Sequence, residues 1–202
     1  MKILIIGGRG TIGKKVSKHL SKKHEVIVAA RKSGDVTVDM TDSRSIEAMF
    51  ESVGNVDAVV CIAGEAKWAA FEAMTEEDYY IGLKSKLMGQ VNIVRIGRKF
   101  LKDIGSFTLT TGILADHPVE FTTSAAMVNG GIHSFVKAVS LELKSGIRIN
   151  VVSSGLVEDA VEKYKAYFPG HNPIPMNKVI NGYVKSVEGK GTGEIIRMYD
   201  NC

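Results

Sequence analysis

Seven residues near the start, Gly7-Gly8-Arg9-Gly10-Thr11-Ile12-Gly13, have the composition and spacing of a phosphate cradle. Gly8, Gly10 and Gly13 satisfy G-x-G-x-x-G, and Gly7, Gly10 and Gly13 satisfy G-x-x-G-x-x-G. Glycine is needed at such positions for a tight turn, for close backbone approach to a pyrophosphate and for close helix–strand contact. A helix that begins at Thr11 and Ile12 then aims unpaired N–H groups and a positive dipole end at phosphate oxygens. A second group, Ala30-Arg31-Lys32-Ser33, bears on which dinucleotide is held. An acid at that place would hold a ribose 2′-hydroxyl. Here two cations and a hydroxyl stand there instead, and Arg9 adds a third cation on the same side. A guanidinium binds a 2′-phosphate bidentately, so NADP(H) is favoured over NAD(H). The alternative is a solvated turn with no ligand.

The elements that must position these residues are written in the hydrophobic pattern. Residues 2–6, 25–30, 56–62, 106–111, 147–152 and 194–199 are short apolar runs that predict strands. Residues 11–22 carry Ile12, Val16 and Leu20 at a spacing of four, and 43–53 place Ile46, Met49, Phe50 and Val53 on one helical face. Two longer helices are predicted over about 76–102 and 122–143. Strand and helix alternate, so the strands are parallel and joined by right-handed crossovers. The expected fold is α/β: a Rossmann-like doubly wound sheet, mostly parallel, of about seven strands with helices on both faces, in one domain over 1–202. The irregular stretch 154–176, with Pro169, Gly170, Pro173 and Pro175, reads as a surface loop or lid.

Composition narrows the class. The chain has 202 residues, 45% apolar and 24% charged, which argues against disorder. Cys61 and Cys202 are too few for a disulfide framework. No apolar run reaches the about 18 residues of a membrane helix, and the apolar opening is too short for a secretion signal, so a cytoplasmic location is expected. The net charge is +4, and much of the excess sits in Lys14, Lys15, Lys18, Lys22 and Lys23. No aromatic residues interleave with these lysines, so they read as a solvated helix face rather than a nucleic-acid patch. No His/Cys/Asp spacing matches a metal site, and no G-x-S-x-G elbow is present.

With these residues in place, the chain resembles the short-chain dehydrogenase/reductase family over nearly its whole length. Asp39-Met40-Thr41 looks like the family's Asp-x-Thr segment, whose Asp lies at the adenine. Cys61-Ile62-Ala63-Gly64 looks like its Asn-Asn-Ala-Gly segment, with both asparagines missing. Residues 140–155 are similar to its helix-to-strand passage ending in Pro-Gly, with Ser154 where the proline would be and Gly155 following. The resemblance implies a Ser, a Tyr and a Lys in catalysis, with an Asn completing a proton relay. Carried over, the serine position falls on Thr111, with Thr110 beside it. The Tyr position falls on Ala125, the Lys position on Asn129 and the relay Asn on Lys86. No tyrosine or lysine occurs between residues 112 and 136, so no shift of register restores the pair.

Two functions stay open. One is an NADP(H)-dependent oxidoreductase of small carbonyl or alcohol substrates, with Thr111 orienting the substrate oxygen and Lys86 or water supplying the proton. The other is a non-catalytic NADP(H)-binding sensor or assembly protein, since a methyl group cannot transfer a proton and an amide cannot supply a cation. A nucleic-acid binder working through the first helix is a third, weaker reading. Asp116 and His117 follow the fifth strand and are placed to lean over the nicotinamide. His133 reads as a packed helix residue, and so do Tyr79 and Tyr80 at a helix start. Tyr164 and Tyr167 fall in the lid. Apolar stripes on the two long helices (Ile81, Leu83, Leu87, Val91, Val94; Met127, Ile132, Phe135, Val139) predict a homo-oligomer, because relatives pair these helices between subunits.

Overall fold

Residues Lys2–Ile6 form the first strand, β1, and their side chains alternate between two cores. Ile3 and Ile5 join one buried cluster, and Leu4 and Ile6 join the other. The run is continuously apolar because both of its faces are covered. Each fully buried Ile or Leu contributes about 1.5–3 kcal/mol of transfer free energy. In the computed structural model, which describes residues 1–199, the chain continues through α1 (Thr11–Leu20), β2 (Glu25–Ala30), β3 (Val36–Thr37), α2 (Ser43–Val53) and β4 (Val56–Cys61). Then follow α3 (Glu76–Gly82), α4 (Gly89–Gly97), β5 (Leu101–Gly112), α5 (Thr123–Val139), β6 (Arg148–Ser154), α6 (Val161–Tyr164), α7 (Met176–Glu188) and β7 (Ile195–Met198).

The seven strands lie in the order β3-β2-β1-β4-β5-β6-β7, and every ladder is parallel. One core holds Val16 and Leu20 of α1 with Val179, Tyr183 and Val187 of α7. The other holds Ile46 and Phe50 of α2, Ile93 of α4, and Ile132 and Val136 of α5. The winding reverses between β1 and β4, since the chain builds outward from β1 in one direction and from β4 in the other. At such a switch point the loops leaving the carboxyl ends of the two strands diverge and open a crevice. The glycine loop follows β1 directly, so the reversal places it on the rim of that crevice. Among the described residues, no helix is long and apolar enough to cross a membrane.

Several sequence expectations need correction. The helix expected over 76–102 is interrupted. Between α3 and α4 lies a π-helical segment, Leu83–Met88, and α4 ends at Gly97. A Cβ on Gly97 would come 2.5 Å from Cζ of Phe50, and the Phe100 ring stacks on Phe50 at 5.4 Å. The chain must turn there to lay Phe100 on that ring, and β5 starts at Leu101, earlier than the predicted 106. The helix expected over 122–143 stops at Val139. Residues 154–176 are not structureless: they contain helical turns at Glu158–Ala160, Val161–Tyr164 and Lys165–Tyr167, and Val157 bridges to Ile174. The expected elements do not include the short β3 or α7, although Met176, Val179, Tyr183 and Val187 of α7 recur at helical spacing and are buried. Tyr80 is 42% exposed rather than packed, and its hydroxyl donates to Glu76. Cys61 is a buried free thiol, and Cys202 lies outside the described residues.

Candidate functional site

The loop glycines are required for different reasons. Gly7 has φ +82°, and a Cβ on it would sit 2.4 Å from the Ile62 carbonyl oxygen. A Cβ on Gly13 would sit 2.1 Å from the Gly7 carbonyl oxygen, and one on Gly8 2.8 Å from a Val28 methyl. These three are imposed by the protein's own packing. Gly10 differs, because the nearest atom to its Cβ position is the Gly7 carbonyl oxygen at 3.5 Å. Gly10 lines the cleft, so its missing side chain leaves room there for something other than protein. It is also the N-cap of α1, and no side chain caps that helix. An uncapped first turn leaves backbone N–H groups without intrahelical partners. Thr11, Ile12 and Gly13 line the cleft with them and provide the anion-seeking end of the helix.

The cleft has a volume of about 540 Å³. Its walls are the glycine loop, the segment Ile62–Ala66 after β4, the end of β5 at Thr110–Gly112, Lys86 from the π-helical segment, and Ala125 and Asn129 from α5. Gly64, at φ +111°, brings the backbone after β4 against that segment, since a Cβ there would be 2.8 Å from Cα of Lys86. Burial lowers the Lys86 pKa from the usual lysine value. Burial also pushes the Cys61 thiol up to about 12, which removes it as a nucleophile. Asn129 is 3% exposed, and its Oδ1 has no hydrogen-bond partner. A buried acceptor left unpaired costs about 1–3 kcal/mol. Open space at Gly10 and unpaired amides on α1 together fit a dinucleotide.

Thr110 and Thr111 divide their labour. Gln90 brackets Thr110, donating to its carbonyl at 2.9 Å and accepting from its N–H at 3.0 Å, while the Thr110 hydroxyl meets that of Tyr183 at 2.9 Å. Thr110 is thereby committed to structure. Thr111 Oγ1 lies 2.8 Å from Nε2 of His133, and both residues are buried. Desolvation depresses the His133 pKa, so the ring is neutral at neutral pH. His133 is packed in α5 as expected, but its bond to Thr111 is what sequence reasoning missed. It lies on α5 at the same spacing of four that separates Ala125 from Asn129, and that face was the available signal.

The remaining expected residues fall into place unevenly. Arg9 Nε donates to the Ser33 carbonyl at 2.8 Å, which ties the glycine loop to the turn after β2. Arg31 and Lys32 are exposed beside it, with Arg31 3.8 Å from Glu65. Asp39 accepts from the Thr41 N–H at 2.9 Å and the Thr41 hydroxyl at 2.7 Å, and these bonds lower its pKa. Ala63 and Gly64 line the cleft. The Met40 side chain does not: it is buried against Gly89, with its sulfur 3.9 Å from that of Cys61. Gly155 lines a second, mainly apolar chamber of about 200 Å³ that shares Thr111, Trp68 and Tyr164 with the cleft. Trp68 packs on Tyr164 at 5.5 Å, Tyr167 at 5.6 Å and Phe168 at 6.4 Å, which braces residues 154–176 over that chamber. Asp116 lines neither cavity. Arg197 Nε donates to it at 2.9 Å and the Tyr199 hydroxyl also donates to it, while His117 packs edge-on against Tyr199. The chain's single Tyr-x-x-x-Lys spacing, Tyr80 to Lys84, likewise lies outside the cleft lining.

Comparison with known proteins agrees with this geometry. A solved structure of the protein lin1944 from Listeria innocua superposes with a TM-score of 0.97 at 46% identity, covering 98% of this chain and 100% of that one. A small-chain dehydrogenase solved in complex with NADPH superposes at 0.86 with 26% identity, over 98% of this chain and 95% of its own. The 3-oxoacyl-[acyl-carrier-protein] reductase MabA of Mycobacterium avium is 26% identical over 170 residues, which is 77% of this chain and 67% of MabA. A family profile described as Enoyl-(Acyl carrier protein) reductase matches residues 9–194. With that match covering most of the sheet and every wall of the cleft, the chain belongs to the short-chain dehydrogenase/reductase family of oxidoreductases.

Proposed function

We propose that this protein is an NADP(H)-dependent oxidoreductase that interconverts a small, uncharged carbonyl compound and its alcohol. One observation carries the reading: a buried threonine hydroxyl, Thr111, is held by His133 at the floor of a cleft that also contains Lys86 and the uncapped start of α1. When bound, the nicotinamide supplies or takes the hydride. The chain's own residues do the rest. Gly7, Gly8 and Gly13 shape the turn, and Gly10, Thr11 and Ile12 offer backbone to the pyrophosphate. Arg9, Arg31, Lys32 and Ser33 surround the place for a 2′-phosphate. Asp39, the Met40 backbone, Ala63 and Gly64 border the adenosine side, and Gly155 borders the nicotinamide side. Thr111 hydrogen-bonds the substrate oxygen. Lys86, its pKa lowered by burial, delivers a proton to that oxygen. The aromatic brace around Trp68 excludes water and limits the substrate to what about 200 Å³ of mainly apolar space admits.

The test is a titration with NADPH and NADH, read through Trp68, the chain's single tryptophan, and then NADPH oxidation against a panel of small aldehydes and ketones. NADPH is expected to bind at least about tenfold tighter than NADH, a difference of about 1.4 kcal/mol, and Arg31→Ala with Lys32→Ala should erase the gap. Thr111→Ala and Lys86→Met are each expected to lower reduction by about 10²–10⁴-fold. NADPH binding with no oxidation of any panel member would instead establish the second reading, a dinucleotide-binding sensor or assembly protein. That reading is favoured by Ala125 and Asn129, which place a methyl and an amide in the cleft at the positions of the family's proton-transfer pair. We also propose that a second copy of the chain covers the face formed by α4 and α5, where Val91, Val94, Phe135 and Val139 line a groove of about 640 Å³.

A further inference from the structure

We propose that His133 is a positioning residue that sets the direction of the Thr111 hydroxyl proton, and so decides whether that hydroxyl can donate to the substrate oxygen. The inference rests on the reading above, in which Thr111 meets the substrate oxygen. Thr111 borders both the cleft and the apolar chamber, whereas His133 borders neither, so the imidazole reaches substrate only through that hydroxyl. A hydroxyl has one proton and two lone pairs. When Nε2 is bare it accepts the Thr111 proton, and Thr111 has none to offer the substrate oxygen. When Nε2 carries hydrogen it donates to Oγ1, and the threonine O–H is free for the substrate oxygen. Carbonyl reduction and alcohol oxidation share one transition state, with Lys86 handling the transferred proton, so Thr111 donates in both directions. Neutral imidazole has both tautomers, and the Nε2–H form is the productive one.

The charged groups facing His133 come from three elements. Asp116, just past β5, favours the protonated ring, while Arg197 of β7 and Lys137, one turn on along α5, oppose it. Arg197 and Tyr199 both donate to Asp116, which spreads its charge. Desolvation is the largest influence and holds the ring neutral through the physiological range. Protonation therefore belongs to acid pH, below the ordinary histidine range near 6.5, and it leaves Thr111 a donor.

The experiment measures both directions of turnover from pH 5 to 9 in the wild type, His133→Leu and His133→Gln, together with NADPH affinity and thermal unfolding. Leucine fills the space with no polar atom; glutamine keeps both a donor and an acceptor but does not titrate. His133→Leu is expected to lower kcat about 10- to 100-fold in both directions, the scale of a misdirected reacting group, with NADPH affinity within about twofold of wild type. His133→Gln, whose amide can donate to Oγ1 as Nε2–H does, should restore most of that loss in both directions. Separately, Thr111→Val should shift the ring-nitrogen resonances of His133 in ¹⁵N NMR, a readout that does not depend on turnover. A folded His133→Leu with wild-type kcat overturns the proposal while leaving the role of Thr111 intact. If His133→Leu does not fold, His133→Gln decides: a folded variant with kcat lowered as far as in Thr111→Ala overturns it. A wild type without turnover, or Thr111→Ala with undiminished turnover, overturns the reading beneath it and this proposal together.

Discussion

Gly10 and Gly13, three positions apart, should respond to a methyl group in opposite ways. At Gly13 the new Cβ would press on a backbone carbonyl at 2.1 Å. An overpacked site costs about 1–3 kcal/mol, more than the up to about 1 kcal/mol that alanine adds to an open helix. Gly13→Ala is expected to lower the unfolding midpoint and abolish NADPH binding. Gly10→Ala, meeting nothing closer than 3.5 Å, should stay within about 1 kcal/mol of wild type in the free protein, the range of N-cap effects. Its NADPH affinity, measured by calorimetry, should nonetheless fall at least about tenfold. Asp116 supports a pH prediction. Its bonds from Arg197 and Tyr199 hold its pKa down at about 2, against an ordinary 3.8. A depressed carboxylate pKa contributes stability that is present above about pH 4 and is lost as pH falls toward 2. Asp116→Asn should cost about 1 kcal/mol at pH 7 after solvent screening and nothing measurable at pH 2 in urea titrations. At this scale the glycine loop and the cations Arg9, Arg31 and Lys32 were legible, because spacing along the chain already carries them. The pairing of Thr111 with His133 was not, since it joins a strand end to a helix 22 positions away. The same distance effect misassigned Asp116, whose partners lie 81 and 83 positions on.

Elements with a plain period were readable to the residue. The bounds of β2 and α2 match their apolar patterns, because β2 is a short run covered on both faces and α2 buries one face. The helix over 76–102 was misread because hydrophobicity continues through Leu83–Met88 while the hydrogen-bond pattern widens to π, the kind of insertion that recurs at functional sites. That widening is what carries Lys86 in the cleft wall. The early start of β5 was hidden for another reason. Ile104 takes φ 64°, which a β-branched side chain adopts at a cost of about 1–3 kcal/mol. It sits where the β4–β5 register shifts between the Val56 and Ala58 pairings. Because Ile104 is 74% exposed, it has little packing to lose. Ile104→Gly is expected to raise stability by about 1 kcal/mol, visible as a higher midpoint in thermal unfolding, with NADPH affinity unchanged.

For the whole molecule, the doubly wound order was predictable because alternating strands and helices admit few right-handed solutions. The contents of residues 154–176 were not, because proline and glycine mark the breaks there while aromatic contacts with Trp68 supply the order. The α4–α5 face supports an assembly prediction. Phe135→Glu would place a charge in the groove beside Val91, Val94 and Val139. Light scattering should then report monomer where the wild type reports dimer or larger, with NADPH affinity unchanged, since the cleft lies elsewhere on the sheet. An unaltered mass would exclude this face as the contact. One consequence belongs to synthesis. The phosphate cradle is made where β1 meets β4, so all its backbone has left the ribosome once the first hundred residues have emerged. Arg197 and Tyr199, which hold Asp116, emerge only with the edge strand β7. During translation the backbone of the glycine loop is therefore complete well before the edge that anchors Asp116 exists.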